Sequence, residues 1–312
     1  MTIAFPRLSA IAYSIGNIRP VSVLAQQEHA GADVMDALEK NGLRHFCEDE
    51  RSTPEMCVDS VRQTLARADL RPEDIDAIVV GPSIAAWDLK QEFALLNALH
   101  EAGFRKNRII GLSLQACSVT GAALKIAGDL VKADDGTRNV LVIVFGRGVK
   151  GSRVAPQGTT LFSDGAASCL VTKDGGEFEI LANESLVDPL MTTMEWVEEN
   201  FPKFMQGGIA GLSDVTKKVY AQTKISAKDV TVAFGTNGSS MYLNMIGLAA
   251  TLPGAKVYRT ALPKYAHVFG CDNLISLKDY SNETALSKGD NLLFVSWAPY
   301  AFSASMLRYV GH

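Results

Sequence analysis

The feature that most constrains the fold is a very apolar stretch that follows a cysteine, LSLQACSVTGAALKIAGDLV at residues 112–131. Its apolar residues recur every three or four positions, which predicts a helix with one wide apolar stripe; they are Val119, Ala122, Ala123, Ile126, Ala127, Leu130 and Val131. Gly121 and Ala122 would allow another backbone to approach closely. Such a helix needs cover on most of its surface, so we expect it in the middle layer of a large domain.

Short β-branched runs lie on both sides of this helix, at residues 76–81, 108–114 and 139–146. Their apolarity is continuous, which is typical of strands covered on both faces. The stretch 52–70 predicts a helix that opens with a capping box of Ser52 and Glu55. Strands that alternate with helices indicate an α/β layered fold.

The second half of the chain repeats this plan. After a strand pair at 159–173, further strands are predicted at 177–186, at 230–235 and twice within 291–310, with helices at 214–225 and 240–252. The same order of elements in both halves predicts an internally duplicated fold. We divide the chain into an N-terminal half, residues 1–175, and a C-terminal half, residues 176–312.

Composition restricts the class of protein. The 312 residues are 47% hydrophobic and 21% charged, so a large core can form without disulfides or metals. A net charge of −4 without charged blocks argues against nucleic-acid binding. The five cysteines lack paired spacing, and neither a signal-like N-terminus nor a membrane-spanning run is present. We therefore expect a cytoplasmic protein that does not insert into membranes.

Cys117 lies between the predicted strand that ends near Leu114 and the helix that begins near Ser118. The helix dipole there favours a thiolate, and free backbone N–H groups could bind an oxyanion. Cysteine is also among the most often buried residues, so position alone leaves a nucleophile and an inert core thiol equally open. The flanking Gln115 and Val119 do not match the glycine frame of a hydrolase nucleophile turn.

A second candidate segment is KYAHVFGCDNLISL at residues 264–277, where His267 and Asp272 stand five residues apart. A cysteine nucleophile needs a base, and a histidine base needs an acceptor that orients it. Taken alone, Asp272 would more often cap the following helix, and His267 would more often be structural. Asp272 could instead orient His267 as the base for Cys117, and both interpretations stay open at this point.

A third candidate segment is FGTNGSSMYLN at 234–244, which follows a strand and opens a helix. Thr236, Asn237 and Ser239 would then face the carboxyl end of a strand, where α/β sheets bind ligands. Ordinary helix capping explains these residues equally well.

The stretch GRGVKG at 146–151 matches a dinucleotide-binding pattern, but no helix pattern follows it, so we reject that interpretation. Its basic residues Arg147 and Lys150, with Arg153, could contact a phosphate, but we predict that they lie in a solvated loop.

Taken together, these segments resemble the thiolase superfamily and, within it, the ketoacyl-ACP synthase III enzymes. The resemblance is carried in order by residues 41–81, 112–130, 159–171 and 264–277. It implies a five-layer αβαβα fold of two similar halves, usually a homodimer. It also implies that Cys117 takes an acyl group from a coenzyme A or acyl carrier protein thioester. Separately, the sequence contains no metal-binding or P-loop motif, and we expect no metal and no bound cofactor.

Three departures from the typical Cys-His-Asn pattern stand out. The segment that usually carries the histidine reads GTNGSS, so Thr236 or Asn237 replaces it, and the asparagine position reads His267. This resembles a divergent group with a GHxFxxD-like segment, some of whose members acylate hydroxyl or amine acceptors. The usual glycine-rich turn reads SWAPYAFS at 296–303, which leaves the second oxyanion donor unassigned.

The sequence therefore predicts an acyl-transferring enzyme. Its catalytic residues would be Cys117, His267 and Asp272, while Thr236, Asn237 and Ser239 would position substrate or bind the oxyanion. Carbon–carbon condensation and ester or amide formation stay open. The main alternative is a non-catalytic subunit that pairs with an active paralogue, although Cys117 and the His–Asp pair argue against it.

Overall fold

The computed structural model describes residues 5–83, 87–193 and 200–311. Its strands are β1 Arg7–Ile15, β2 Asn17–Pro20, β3 His45–Glu48, β4 Ala77–Pro82, β5 Arg108–Gly111, β6 Asn139–Gly146, β7 Gly165–Thr172, β8 Phe178–Val187, β9 Val230–Gly235, β10 Asn291–Trp297 and β11 Ala301–Tyr309. Its α-helices are α1 Leu24–Gln27, α2 Ala32–Lys40, α3 Thr53–Ala68, α4 Leu89–Glu101, α5 Val119–Ala133, α6 Phe201–Thr223, α7 Ser240–Ala249, α8 Leu262–Tyr265 and α9 Asp272–Glu283.

Nine of the described strands are hydrogen-bonded in one mixed sheet made of two parts, here called the two main sheets, which meet along a short seam; β2 and β3 form a separate two-stranded sheet. One half contributes the order β5-β4-β6-β7-β1 and the other the order β8-β11-β10-β9. Between β1 and β8 only Arg7 and Leu8 pair with Glu179 and Phe178, whereas β10 and β11 pair along their whole length. The boundary between the halves at residue 175 stays a prediction.

Five layers follow from the way the helices cover these sheets. Helices α5 and α9 lie between the sheets, α3 with α4 covers the outer face of the first, and α6 with α7 covers the second. Three separate hydrophobic clusters correspond to the two outer interfaces and the central one. The predicted five-layer thiolase-like arrangement is confirmed.

Helix α5 is the buried helix that the sequence predicted. Val119, Leu124 and Ala127 are fully buried. Gly121 is required by a close approach, because a Cβ there would lie 2.3 Å from the Ser303 hydroxyl on β11. Each fully buried valine or leucine contributes roughly 1.5–3 kcal/mol to folding, so α5 is a main source of stability.

Several element boundaries differ from the sequence predictions; the strand pair predicted at 159–173, for example, is the single strand β7, Gly165–Thr172. The strand predicted to reach residue 114 ends at Gly111, and Leu114 and Ala116 beyond it take positive φ angles of 61° and 41°, which do not fit a strand. The helix predicted to begin at 214 begins at Phe201 instead. Its early turns contain three glycines, which lower helix propensity in the sequence. In the fold, Gly208 and Gly211 make room for the rings of Trp297 and Phe302.

No helix in the described ranges is both long enough and apolar enough to cross a membrane.

Candidate active site

Cys117 lies in a single 3-10 turn, Ala116–Ser118, which leads directly into α5. Ser83 donates a hydrogen bond to the Ala116 carbonyl at 3.0 Å, and Ser303 donates one to the Ser118 carbonyl at 3.2 Å. The positive φ of Ala116 is costly for a residue with a side chain, and strain of this kind persists only where neighbours hold it. These contacts fix the cysteine at the positive end of a 15-residue helix.

Cys117 is also the one accessible thiol among the five cysteines, all of which lie in the described ranges. Cys47, Cys57, Cys169 and Cys271 are buried, whereas Cys117 is half-buried. Burial raises the pKa of each of the four buried thiols, that of Cys47 to about 12. A thiolate forms far less readily at those four positions.

His267 is brought to Cys117 from 150 positions further along the chain. Its Nε2 atom lies 3.2 Å from the Cys117 sulfur. The backbone around it pairs with a loop of the other half, since the His267 N–H donates to Leu161 and the His267 carbonyl accepts from Ser163, at 3.0 and 2.9 Å. Ala266, directly before it, has a φ of 51° and aims the chain into this pairing.

Asp272 fixes the tautomer of that histidine. Its Oδ2 atom accepts hydrogen bonds from His267 Nδ1 and from the Asn237 backbone N–H, both at 2.6 Å, and Oδ1 accepts one from the Val268 N–H at 2.8 Å. A carboxyl group with three donors around it acts as an acceptor only, so His267 carries a proton on Nδ1. Nε2 is therefore the atom that exchanges a proton with the sulfur.

The electrostatics of this group favour a protonated imidazole. Burial by itself lowers the pKa of His267, but Asp272 and the Cys117 thiolate outweigh burial and raise that pKa from 6.5 to about 10. A thiolate that accepts from an imidazolium is the activated form of a cysteine nucleophile.

This pKa predicts how stability depends on pH. A histidine whose pKa is higher in the folded state stabilises the fold fully below its unfolded value of about 6.5, and this contribution disappears as pH rises through about 10. In urea unfolding at a series of pH values, the wild type should lose stability relative to His267→Gln between those limits. A difference that stays constant over the range would contradict the assignment.

A cavity of about 530 Å³ opens beside Cys117 and His267. The residues that line it include four aromatic ones, Phe162, Phe204, Tyr242 and Trp297, and the aliphatic residue Val154. Among the described residues that line it, none is Lys, Arg, Asp or Glu. The volume and the apolar walls suit a small acyl group.

The three polar residues predicted near the third segment are placed differently from one another. Thr236 lines the cavity, and its hydroxyl accepts from the Trp297 backbone N–H at 2.9 Å. Asn237 does not line the cavity. Its side-chain amide donates to the Ser276 hydroxyl at 3.4 Å, and its backbone N–H donates to the Asp272 carboxylate. Ser239 is the N-cap of α7 and accepts from the Tyr242 N–H. Only Thr236 stays a candidate for direct contact with substrate.

Arg153 was predicted in a solvated loop, and this prediction is wrong. Its side chain is 5% exposed and donates to both oxygens of the buried Asp164, at 2.8 and 2.9 Å. The pair anchors the loop that hydrogen-bonds the backbone of His267. A single arginine among exposed neighbours gave no sequence signal for this role.

The aromatic walls of the cavity were also missed. Phe204 belongs to the glycine-containing part of α6, and Trp297 belongs to the turn noted only for its lack of glycine. This turn supplies no oxyanion donor at Ala298 or Pro299, because the Ala298 N–H already donates to the Ala301 carbonyl and Pro299 has no N–H. The Cys117 backbone N–H makes no hydrogen bond within the described part of the chain and can serve as an oxyanion donor.

Comparison with known proteins agrees with this fold. No protein-family model matches the chain. It is 21% identical over 269 residues to a β-ketoacyl-[acyl-carrier-protein] synthase III of Aquifex aeolicus, covering 83% of this chain and 85% of that protein. A crystal structure of the synthase III from that species matches 97% of this chain and 100% of its own, with a TM-score of 0.82 and 18% identity. The acyltransferase ChlB3 matches 98% of both chains, with a TM-score of 0.80 and 18% identity.

Proposed function

We propose that this chain, which has the thiolase-like fold of the ketoacyl-ACP synthase III enzymes, transfers acyl groups through a thioester on Cys117. The observation that carries the proposal is the line of contacts from Cys117 to His267 to Asp272, at 3.2 and 2.6 Å, beside an apolar cavity. The synthases and the acyltransferase with which the chain shares its fold are, by their names, enzymes that transfer acyl groups.

The first step would load the enzyme. Cys117 gives its proton to His267 Nε2, and the sulfur attacks the carbonyl carbon of an acyl-CoA or acyl carrier protein thioester. The Cys117 N–H stabilises the resulting oxyanion. The bond from carbon to the donor sulfur then breaks, and the leaving thiolate takes the proton from His267.

The second step would pass the acyl group to an acceptor. We favour a hydroxyl or amine acceptor, whose proton moves to His267 as its oxygen or nitrogen attacks the thioester, with Cys117 thiolate leaving. Decarboxylative condensation needs two donors on the malonyl carbonyl. Here His267 is oriented as a base, and the Thr236 hydroxyl is already bonded to the backbone of Trp297.

The test is intact-mass spectrometry after incubation with acyl-CoA and acyl carrier protein thioesters, followed by single-turnover release with different acceptors. An acyl mass increase that peptide mapping places on Cys117 is expected. Release by an alcohol or amine would support ester or amide formation, and release by a malonyl thioester with loss of carbon dioxide would indicate condensation. No adduct with any thioester would contradict the proposal and fit a non-catalytic partner subunit.

We also propose that the chain works as a homodimer that pairs through β5. Within the described residues β4 is the only neighbour of β5, so one edge of this strand is open. The nearby helix α4 exposes Leu89, Phe93 and Leu96 on one face, and Ile109 on β5 is 38% exposed. Sedimentation at micromolar concentration should show a dimer, and Phe93→Glu should shift it towards the monomer. A wild type that is monomeric there would contradict the proposal.

A further inference from the structure

Ser163 is a fully buried serine in the loop beside His267, and it holds that part of the chain at two points. Its backbone N–H donates a hydrogen bond to the His267 carbonyl at 2.9 Å. Its hydroxyl donates one to the Tyr265 carbonyl at 2.5 Å and accepts one from the Cys47 N–H at 3.0 Å. The hydroxyl therefore ties the segment that leads into His267 to strand β3.

The residue between Tyr265 and His267 has a strained backbone. Ala266 has a φ of 51° and a ψ of −143°, a combination that glycine takes freely and that residues with a side chain rarely take. Ala266 is fully buried, and strain of this kind persists only where surrounding contacts hold it. The contacts on the peptide groups around Ala266 therefore decide whether His267 keeps its position.

The Ser163 hydroxyl is the contact that ties the peptide group before Ala266 to a distant part of the fold. This peptide group makes a second hydrogen bond, in which the Ala266 N–H donates to the Leu262 carbonyl at 3.0 Å. That bond lies within the same short segment and moves with it. For Ala266 to relax to a negative φ, the peptide group must rotate, which would turn the Tyr265 carbonyl away from the Ser163 hydroxyl. The hydroxyl therefore opposes this relaxation.

We propose that the Ser163 hydroxyl is a positioning group, which holds Ala266 in its strained conformation and thereby keeps His267 beside Cys117. The contact that it preserves is the 3.2 Å approach of His267 Nε2 to the Cys117 sulfur. Ser163 is not among the residues that line the cavity, so it acts through His267 and not on the substrate. This inference rests on the proposed acyl transfer. A serine that only satisfied the Cys47 N–H would contribute to folding and leave the catalytic contact unchanged.

The Ser163→Ala variant removes the hydroxyl and keeps the backbone contact to His267. We expect its maximal rate of Cys117 acylation to fall about 10²-fold, because a misplacement of about 1 Å in a catalytic group can cost that much. The thioester concentration that gives half of the maximal rate should change little, since no residue that lines the cavity is altered. Both quantities come from intact-mass time courses over a range of thioester concentrations.

Alkylation of Cys117 by iodoacetamide reports the same contact without an acyl donor. At about pH 6 an ordinary thiol is almost fully protonated, so rapid alkylation there requires His267 as the proton acceptor, whereas at about pH 9 a thiolate forms without it. The rate at the lower pH, divided by the rate at the higher pH, should be about tenfold smaller in Ser163→Ala than in the wild type. The other titratable groups near Cys117 are the same in both proteins, namely Asp272, Tyr242 and Cys271.

A glycine at position 266 separates positioning from folding. Glycine takes the backbone angles of Ala266 without strain, so the double variant Ser163→Ala with Ala266→Gly should regain most of the lost acylation rate. The matched control is Ser168→Ala, which removes another fully buried hydroxyl, one that shares a hydrogen bond with Thr64 at 2.7 Å and does not line the cavity. It should keep the wild-type acylation and alkylation rates even where a thermal melt shows lower stability.

Two results would overturn the inference. One is a Ser163→Ala variant whose Cys117 is acylated and alkylated as in the wild type. The other is a double variant that reacts no faster than Ser163→Ala, whether or not it folds, since Ser163 would then act in some way other than by holding Ala266. If no thioester acylates Cys117 in the wild type, the proposed function fails, whereas the alkylation ratio still shows whether Ser163 positions His267.

Discussion

Replacement of Cys117 by alanine should abolish the acyl-enzyme completely. Attack on a thioester needs a polarisable thiolate, and the other four cysteines are buried in positions where burial raises the pKa of the thiol. No nucleophile of similar strength is left beside His267. In intact-mass spectrometry the wild type should gain the mass of one acyl group, and the variant should gain none.

The matched control is Cys169→Ala. Cys169 is buried on β7, and its loss should leave acylation of Cys117 in place. Circular dichroism and a thermal melt should show that Cys117→Ala remains folded, since Cys117 is half-buried and its truncation opens no large core cavity. An acyl group that persists in Cys117→Ala, or that maps to another cysteine, would rule out the proposed nucleophile.

Replacement of His267 by alanine should have the second largest effect, on the transfer step. Loss of a general base costs about 10²–10⁴-fold in rate. The variant also removes the imidazolium that stabilises the thiolate, so loading should slow as well. The measurement is single-turnover release of the acyl group from preloaded enzyme by its acceptor.

The Asp272→Asn variant should cost somewhat less than His267→Ala. The two carboxylate oxygens together accept hydrogen bonds from three donors. An asparagine would turn its N–H₂ group towards at least one of these donors. The histidine could then lose the Nδ1 proton that makes Nε2 the working base.

His45→Gln is a suitable control, because His45 is a partly buried histidine that contacts the Pro263 carbonyl and does not line the cavity. It should release the acyl group at the wild-type rate. If His267→Ala also releases it at that rate while Thr236→Ala is inactive, the base has been assigned to the wrong residue.

Much of the fold can be predicted from local patterns in the sequence. Continuous apolar runs predicted β4, β6 and β9, because a strand covered on both faces has no room for alternation. The Ser52–Glu55 capping box predicted the start of α3, and the structure contains it. Capping and periodicity depend on residues three or four positions apart, so a single sequence reveals them.

Other elements could not be found in this way. The first turns of α6 contain glycines that disfavour a helix locally, and packing against Trp297 and Phe302 outweighs that preference. In the sequence Arg153 resembles the other basic residues of its loop, whereas in the fold it is buried in an ion pair with Asp164. Both depend on contacts between residues far apart in the chain.

For the site, the sequence by itself singled out Cys117 at a helix start and a His267–Asp272 pair, since each is a local pattern. Only the tertiary structure decided that Asp272 accepts from His267 rather than capping α9, because α9 begins at Asp272 and the loop from Val268 wraps around its carboxylate. It also decided that Asn237 contacts Asp272 through a backbone N–H hydrogen bond and not through its side chain. The cavity wall comes from separate stretches of both halves, and no local pattern records which side chains a fold will bring together.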